Sequence, residues 1–405
     1  VITEIHEVLL AARDEGASRA ETLERLCHVE GVYVPSRYER LADGRVVPLE
    51  ASTPAVVEKR TVADLGEWPY PKQQLVPLME VVHDRLNVEV FRGCTRGCRF
   101  CQAGMITRPV RERPAEQVIE MVGRGLERTG YDELSLTSLS TADFSDIEPT
   151  LSAIVNDERN EGRVSVSLPS LRVDAFTVGT AAMIQQVKRT GLTFAPEGGT
   201  WRMRKVINKL VADEDLYAAV ESAFSQGWRR VKLYFLIGLP TETDEDVLGI
   251  AELGERCVEI GRQFHKGVTV TCSVGGFVPK AQTPFQWYGM DTADALTRKV
   301  RLLRDAAREV RGLTIRWHDP AASVAEGISS RGDRRVGAVI ERVWRDGGTF
   351  QEWSERFELD RWTQALEAEG LSLDELCHRD RGEDEPLPWD HLSAGLHRDF
   401  LWGEW

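Results

Sequence analysis

The sequence predicts an α/β chain, an open barrel of six β/α units followed by a mainly helical C-terminal extension. Short β-rich runs alternate with helix-length amphipathic segments between about residues 87 and 285, the pattern of parallel strands joined by crossover helices. Beyond about residue 290 helical periodicity takes over, and six of the eleven tryptophans (Trp344, Trp353, Trp362, Trp389, Trp402 and Trp405) gather in the chain's last 62 residues. A third observation is the stretch "VFRGCTRGCRFCQAG", residues 90 to 104, which sets Cys94, Cys98 and Cys101 directly after the first predicted strand. The boundaries that follow are an N-terminal helical and hairpin segment with a linker over 1–80, a barrel over 81–290 and an extension over 291–405.

In chain order, residues 1–29 read as a short amphipathic helix pair, and "GVYVPSRYERLADGRVVPLE" as a hairpin turning at Ala42, Asp43 and Gly44. Three prolines in "GEWPYPKQQLVP" break regular structure and place a linker at about 64–80. Strands are expected over 87–92, 133–138, 164–168, 191–196, 231–237 and 268–274. Between the first two, "PAEQVIEMVGRGLERTG" puts Val118, Ile119, Val122 and Leu126 on one helical stripe, with Pro114 at its start and Gly130 at its stop. Segments 144–157, 212–226 and 244–264 also have helical length. Right-handed crossovers would curl such units into an open barrel, with the chemistry at the strand ends.

A hydrophobic fraction of 42% and a charged fraction of 29% describe a globular chain and exclude a fibrous or disordered one. The net charge of −14 argues against general adhesion to nucleic acid or anionic membranes, so a nucleic-acid partner finds no support in charge. No apolar run approaches the roughly 18–20 residues that span a bilayer. The opening "VITEIHEVLLAARDEG" is too polar for a signal peptide, and the expectation is a cytoplasmic protein with no membrane partner. The chain opens on Val rather than Met, as a fragment or a processed product does.

Seven cysteines in 405 residues are too few for a disulfide framework. Cys27, Cys257, Cys272 and Cys377 are scattered and read as buried small hydrophobes. Cys94, Cys98 and Cys101, with gaps of three and two residues, suit a four-iron four-sulfur cluster: each sulfur holds a different iron and the fourth iron stays open. A structural zinc site would want four ligands, usually in two pairs; no second CxxC occurs, and His83, eleven residues before Cys94, is the only nearby imidazole. Six arginines (Arg92, Arg96, Arg99, Arg108, Arg111 and Arg113) would favour reduction of an anionic cluster or steer an anionic substrate, with a solvated loop face as the plain alternative.

"CTRGCRFC", with Phe100 just before the third cysteine, resembles the cluster motif of the radical S-adenosylmethionine (radical SAM) superfamily. The resemblance implies a partial (β/α)6 TIM-like barrel that holds a 4Fe-4S cluster, with S-adenosylmethionine (SAM) on its open iron. One electron from the reduced cluster would split SAM into methionine and a 5′-deoxyadenosyl radical, which takes a hydrogen atom from the substrate. An electron donor such as flavodoxin or ferredoxin is the implied partner, while the protein binds and orients the reactants.

The same resemblance assigns site residues. In "LTSLSTAD", Ser138 and Ser140 stand where the family meets the SAM amino group. "SLPSLRVDAF" offers Ser167, Ser170 and Arg172 to the barrel mouth, and a guanidinium forks onto a carboxylate. "LTFAPEGGTWRMRKVINK" resembles the strand-four segment of cobalamin-type and methylthiotransferase-type members. There Glu197 would accept from the SAM ribose or amine, Arg204 or Lys209 would face its carboxylate, and Gly198 and Gly199 would let backbone approach a ligand. In "VKLYFLIGLPTET", Ile237, Gly238, Leu239 and Pro240 would wall the adenine, while Thr241, Glu242 and Thr243 read as helix caps. "VGGFVPKAQTPFQW" places Lys280 near the mouth, and "SSRGDRR" places Arg331, Arg334 and Arg335 at one helix entry.

Across about 30–405 the sequence resembles the uncharacterised cobalamin-binding-type radical SAM proteins, through "WPYPKQ", "FRGCTRGCRFCQAGMITRPVRER", "SRGDRR" and "LPWDHL". In that branch a cobalamin-binding domain precedes the core; here the residues before 30 read as a short remnant, and no Asp-x-His-x-x-Gly motif supports bound cobalamin. The expected function is SAM cleavage acting on an unknown substrate, by methyl or methylthio transfer or by a hydrogen-abstraction rearrangement. The competing class is a non-catalytic iron-sulfur or zinc-binding interaction protein.

Overall fold

In the computed structural model, which describes residues 1–158, 160, 163–167 and 192–405, the chain divides into two units. One comprises Val1–Val62, Val278–Gly289 and Ala325–Trp405, the other Ala63–Phe277 and Met290–Val324. The first unit opens with helices α1 (Ile2–Asp14) and α2 (Arg19–Cys27). Ser18 starts α2: its hydroxyl accepts from the Glu21 N–H while the Glu21 carboxylate accepts from the Ser18 N–H. The hairpin follows as expected, β1 (Tyr38–Arg40) against β2 (Val46–Pro48), with Tyr38 opposite Pro48 and Arg40 opposite Val46. Strand β3 (Val57–Glu58) comes next.

The second unit begins with β4 (Leu86–Glu89) and β5 (Phe91–Arg92), so the single strand expected over 87–92 is broken at Val90. β5 leaves the parallel ladder to pair antiparallel with β6 (Arg111–Glu112), Phe91 opposite Glu112 and Arg92 opposite Arg111. This ladder closes the base of the cysteine loop, which also contains the short helix α3 (Gln102–Ile106). Helix α4 (Ala115–Thr129) runs from Pro114 to Gly130, whose φ of 71° ends it. Then come β7 (Glu133–Thr137), α5 (Ile147–Val155) and β8 (Ser165–Ser167). β4, β7 and β8 form one parallel sheet in that order.

A second parallel sheet follows: β9 (Leu192–Glu197), helices α6 (Trp201–Val206) and α7 (Asp213–Ser225), β10 (Arg230–Ile237), α8 (Asp244–Phe264), β11 (Thr269–Gly276), α9 (Ala293–Ala307) and β12 (Leu313–Trp317). Its strands lie in chain order, each paired with the next. Strand β12 was not expected, because the helical reading beyond 290 absorbed its five residues. It is short and follows a long helix, so its period-2 signal is weak.

Both sheets are apolar on one face only. Leu86, Val88, Leu134, Leu136 and Val166 pack with Val118, Val122 and Leu126 of α4 and with Leu151 and Ile154 of α5. Phe194, Leu233, Phe235, Val270 and Val274 pack with residues of α7 and α8, including Val220, Val247 and Ile250. Cys257 and Cys272 belong to this second core, and burial pushes the Cys257 thiol up to about 12. Cys27 and Cys377 are buried too, as the scattered cysteines were expected to be.

The first unit resumes at Ala325, within α10 (Pro320–Arg331), and continues through α11 (Val336–Arg345), α12 (Leu359–Ala368), β13 (Leu392–Ser393) and α13 (Arg398–Gly403). β13 pairs in parallel with β3. Trp287, Leu387, Trp389 and Leu401 form a core here, with the Trp287 and Trp402 rings edge to face at 5.1 Å. Arg331 is wholly buried and donates to the carbonyls of Gln286, Tyr288, Leu376 and Arg379. Arg334 instead donates to the Tyr38 carbonyl and the Tyr33 hydroxyl, and Arg335 pairs with Asp333. "SRGDRR" is therefore a set of internal braces.

Candidate functional site

The three thiols lie on the loop that leaves β5. Gly93 starts it with a φ of 100°, and a Cβ there would come 2.7 Å from the Pro109 carbonyl oxygen, so only glycine lets the loop's two ends close. Cys94, Cys98 and Cys101 are all free and half-buried. Cys101 Sγ accepts from the Gly104 N–H at 3.3 Å. A Cβ on Gly104 would sit 3.4 Å from that sulfur and 3.7 Å from Cys94 Cβ, so the absent side chain leaves the sulfurs room. Burial pushes the Cys98 thiol up to about 11, with Cys101, Cys94 and Glu197 adding to the rise and the Lys209 ammonium opposing it. Burial likewise raises Cys101. Three thiols without a disulfide, one already held by a backbone N–H, are a donor set that fits a 4Fe-4S cluster at three of its irons.

Those electrostatic neighbours bring the turn after β9 to the cysteines. Glu197 ends the strand with a φ of 68°, uncommon for a residue with a side chain, and Glu197 Oε1 accepts from Lys209 Nζ at 3.0 Å. The cysteine loop is tied to the same turn: the Arg99 N–H donates to the Ile207 carbonyl at 3.0 Å, and its guanidinium donates to the carbonyls of Lys205 and Val206. Asn208 Nδ2 donates to the Gly97 carbonyl at 3.0 Å. Asn208 escaped the sequence reading, although its left-handed φ of 53° is one that Asn tolerates better than most residues.

Of the other residues singled out in the sequence, several are occupied by the fold. Arg204 is wholly buried and donates to the Val211 carbonyl and to Asp213, which leaves Lys209 as the cation beside Glu197. A Cβ on Gly199 would lie 2.2 Å from the Asp246 carbonyl oxygen and 2.7 Å from the Ile250 nitrogen; the glycine admits the backbone of α8 rather than a ligand. Ser140 donates to Asp143, which also takes the Arg96 guanidinium, so the exit of β7 is tied to the cysteine loop. Ser138 bonds Thr141 at 3.0 Å, Phe100 is half-buried, and Ser167 is half-buried at the end of β8. Arg172 and Ser170 lie outside the described residues. The arginine cluster is mostly bracing: Arg92 holds Glu89, Arg111 holds the carbonyls of Thr107 and Pro109, and buried Arg113 holds those of Leu65 and Glu89. Lys280 falls in the other unit, held by Glu326 and Ser330.

At the end of β10, Ile237, Gly238, Leu239 and Pro240 are all buried, and Gly238 has a φ of 78°. Its N–H donates to Glu242 Oε2 at 2.7 Å, and the same oxygen accepts from Lys299 Nζ at 2.7 Å. Lys299 also meets Asp291 at 2.8 Å. Glu242 is therefore a brace of this turn and not a helix cap; Thr243, with Asp246, caps α8. Lys299 and Asp291 carried no local signal, because they lie some 50 residues further along the chain.

A parallel α/β unit that gathers three free thiols and a carboxylate–ammonium pair at the carboxyl ends of its strands has the form of an enzyme built on a thiolate-held cluster. Residues 88–254 match the model of the Radical SAM superfamily. An uncharacterized protein of Methanocaldococcus jannaschii is 27% identical over 342 residues, which is 84% of this chain and 70% of that one. The ribosomal protein uS12 methylthiotransferase RimO of Treponema denticola is 24% identical over 189 residues, 39% of each chain. Among solved structures, the radical SAM methyltransferase TsrM of Kitasatospora setae, with cobalamin and a 4Fe-4S cluster bound, aligns with a TM-score of 0.41 at 14% identity over 67% of this chain and 49% of its own. The chain thus spans about half the length of that structure. No helix among the described residues is long and apolar enough to cross a membrane.

Proposed function

We propose that Cys94, Cys98 and Cys101 hold a 4Fe-4S cluster at which SAM is cleaved, and that the product radical acts on a substrate bound in the second unit. When bound, the cluster supplies one electron to the SAM sulfonium and yields a 5′-deoxyadenosyl radical. The chain's own part is placement. Glu197, which accepts from Lys209 Nζ, is an acceptor for the SAM amine or ribose; Ile237 to Pro240 offer the adenine an apolar wall whose shape the Glu242 bond to Gly238 maintains. Ser138, Ser140 and Ser167 are the hydroxyls at the neighbouring strand ends. An external donor such as flavodoxin or ferredoxin supplies the electron.

The observation that carries the reading is the junction of the cysteine loop with the Glu197–Lys209 turn, where a three-thiol donor set meets a ready acceptor. Anaerobic reconstitution tests it: about four irons per chain, absorbance near ~400 nm and 5′-deoxyadenosine released on reduction with SAM are expected. One zinc per chain without SAM cleavage would instead establish the non-catalytic reading. Cys98→Ser should abolish both iron loading and cleavage. Within the enzyme reading, the likeness to a methylthiotransferase favours methyl or methylthio transfer, which label from SAM recovered in a product methyl group would reveal.

A further inference from the structure

The face of the second sheet turned away from its helices is polar. A packed barrel fills that face with branched apolar side chains, but here Tyr234 is 40% exposed and Arg316 is exposed as well. The register sets Tyr234 beside Ser273 and Ser273 beside Arg316 across β10, β11 and β12. Strands lie about 4.8 Å apart, so two long side chains stand about 10 Å apart with only a hydroxymethyl between them. Two residues on, Gly275 lies between Leu236 and His318; a Cβ there would reach them only at 3.7 and 3.9 Å, an ordinary contact distance. Long side chains flanking Ser273 and Gly275 make a trough.

Its walls are cationic. Lys232, on the same face as Tyr234, donates from Nζ to the Tyr234 hydroxyl at 2.8 Å and sits 4.4 Å from the ring centroid. Among the described residues neither Lys232 nor Arg316 meets a carboxylate. Two uncompensated cations facing one hollow in a chain of net charge −14 are a local reversal of sign. We propose that this trough binds an oxyanion group of the substrate, a carboxylate or a phosphate, between Lys232 with Tyr234 on one wall and Arg316 on the other. Ammonium and guanidinium donors both strengthen when the acceptor is charged, and the guanidinium can engage two oxygens at once. The inference rests on the reading of this unit as the catalytic one.

The iron-loaded full-length chain is heated in inorganic phosphate, in acetate and in chloride at equal ionic strength. At about ten times its Kd, one or both oxyanions should raise Tm by about 2 °C over chloride. The rise should fall by more than half in Lys232→Met and in Arg316→Met. Phosphate acting alone assigns a phosphate group and acetate alone a carboxylate. No rise beyond chloride, or a full rise retained in both variants, overturns the proposal. Should a Met variant lose its far-ultraviolet circular dichroism, Lys232→Gln and Arg316→Gln replace it with the same required loss. Iron content and deoxyadenosine release from the same wild-type preparation report on the cluster independently, so the two readings fail separately.

Discussion

Lys299 shows how one residue can govern a site without touching it. Its ammonium is 9% exposed and lies between Glu242, 3% exposed, and Asp291. Burial pushes the Glu242 carboxyl up despite the Lys299 contact and the Gly238 N–H. Removing the cation leaves two carboxylates uncompensated, so Lys299→Met should cost about 3–5 kcal/mol, read from the urea midpoint. It should also weaken SAM binding, because Gly238 loses its fixed acceptor. His391 makes a second residue-level prediction. It is 8% exposed, packed against the Tyr33 ring at 4.9 Å, and burial pushes its imidazole below the ordinary 6.5. The unfolded chain therefore takes up the proton first as pH falls; the stabilisation is complete above 6.5 and is lost on acidification toward the lower folded value. Urea midpoints at about pH 7.5 and about pH 5.5 should differ in the wild type, and the difference should shrink in His391→Phe. Neither environment was legible in the sequence, which shows a lysine or a histidine but not what surrounds it.

At the scale of elements, the cysteine loop is positioned by three devices: the β5–β6 ladder at its base, Gly93 at its entry and Asn208 from the turn after α6. Asn208→Ala deletes one hydrogen bond and should cost about 1 kcal/mol, while chelator challenge should strip iron from the variant faster than from the wild type. The contact between Gly199 and α8 is tighter. Gly199→Ala would drive a methyl into the backbone at Asp246 and Ile250, and a loss of at least about 2 kcal/mol is expected by urea unfolding. Helices α4, α7 and α8 were legible because amphipathic stripes and their caps lie within one segment. Strand β12 was not, since a five-residue strand shows its identity only through its partner β11.

For the whole molecule, 65 acidic against 51 basic residues make nonspecific attachment to nucleic acid unfavourable. Filter binding with polyuridylate at about 0.15 M salt should retain no complex, and salt-resistant retention would show that a local basic surface outweighs the total. The sequence by itself determined the close spacing of the thiols of Cys94, Cys98 and Cys101 and the β/α alternation, because residue spacing and periodicity are properties of short segments. Tertiary structure alone decided which charges pair: Arg96 with Asp143, 47 residues away, Lys299 with Glu242, 57 residues away, and Lys209 rather than Arg204 with Glu197. It also decided that Lys232, Tyr234 and Arg316 share one trough. A charged side chain's role depends on what folding brings within a few ångströms of it, and nearest neighbours along the chain do not specify that.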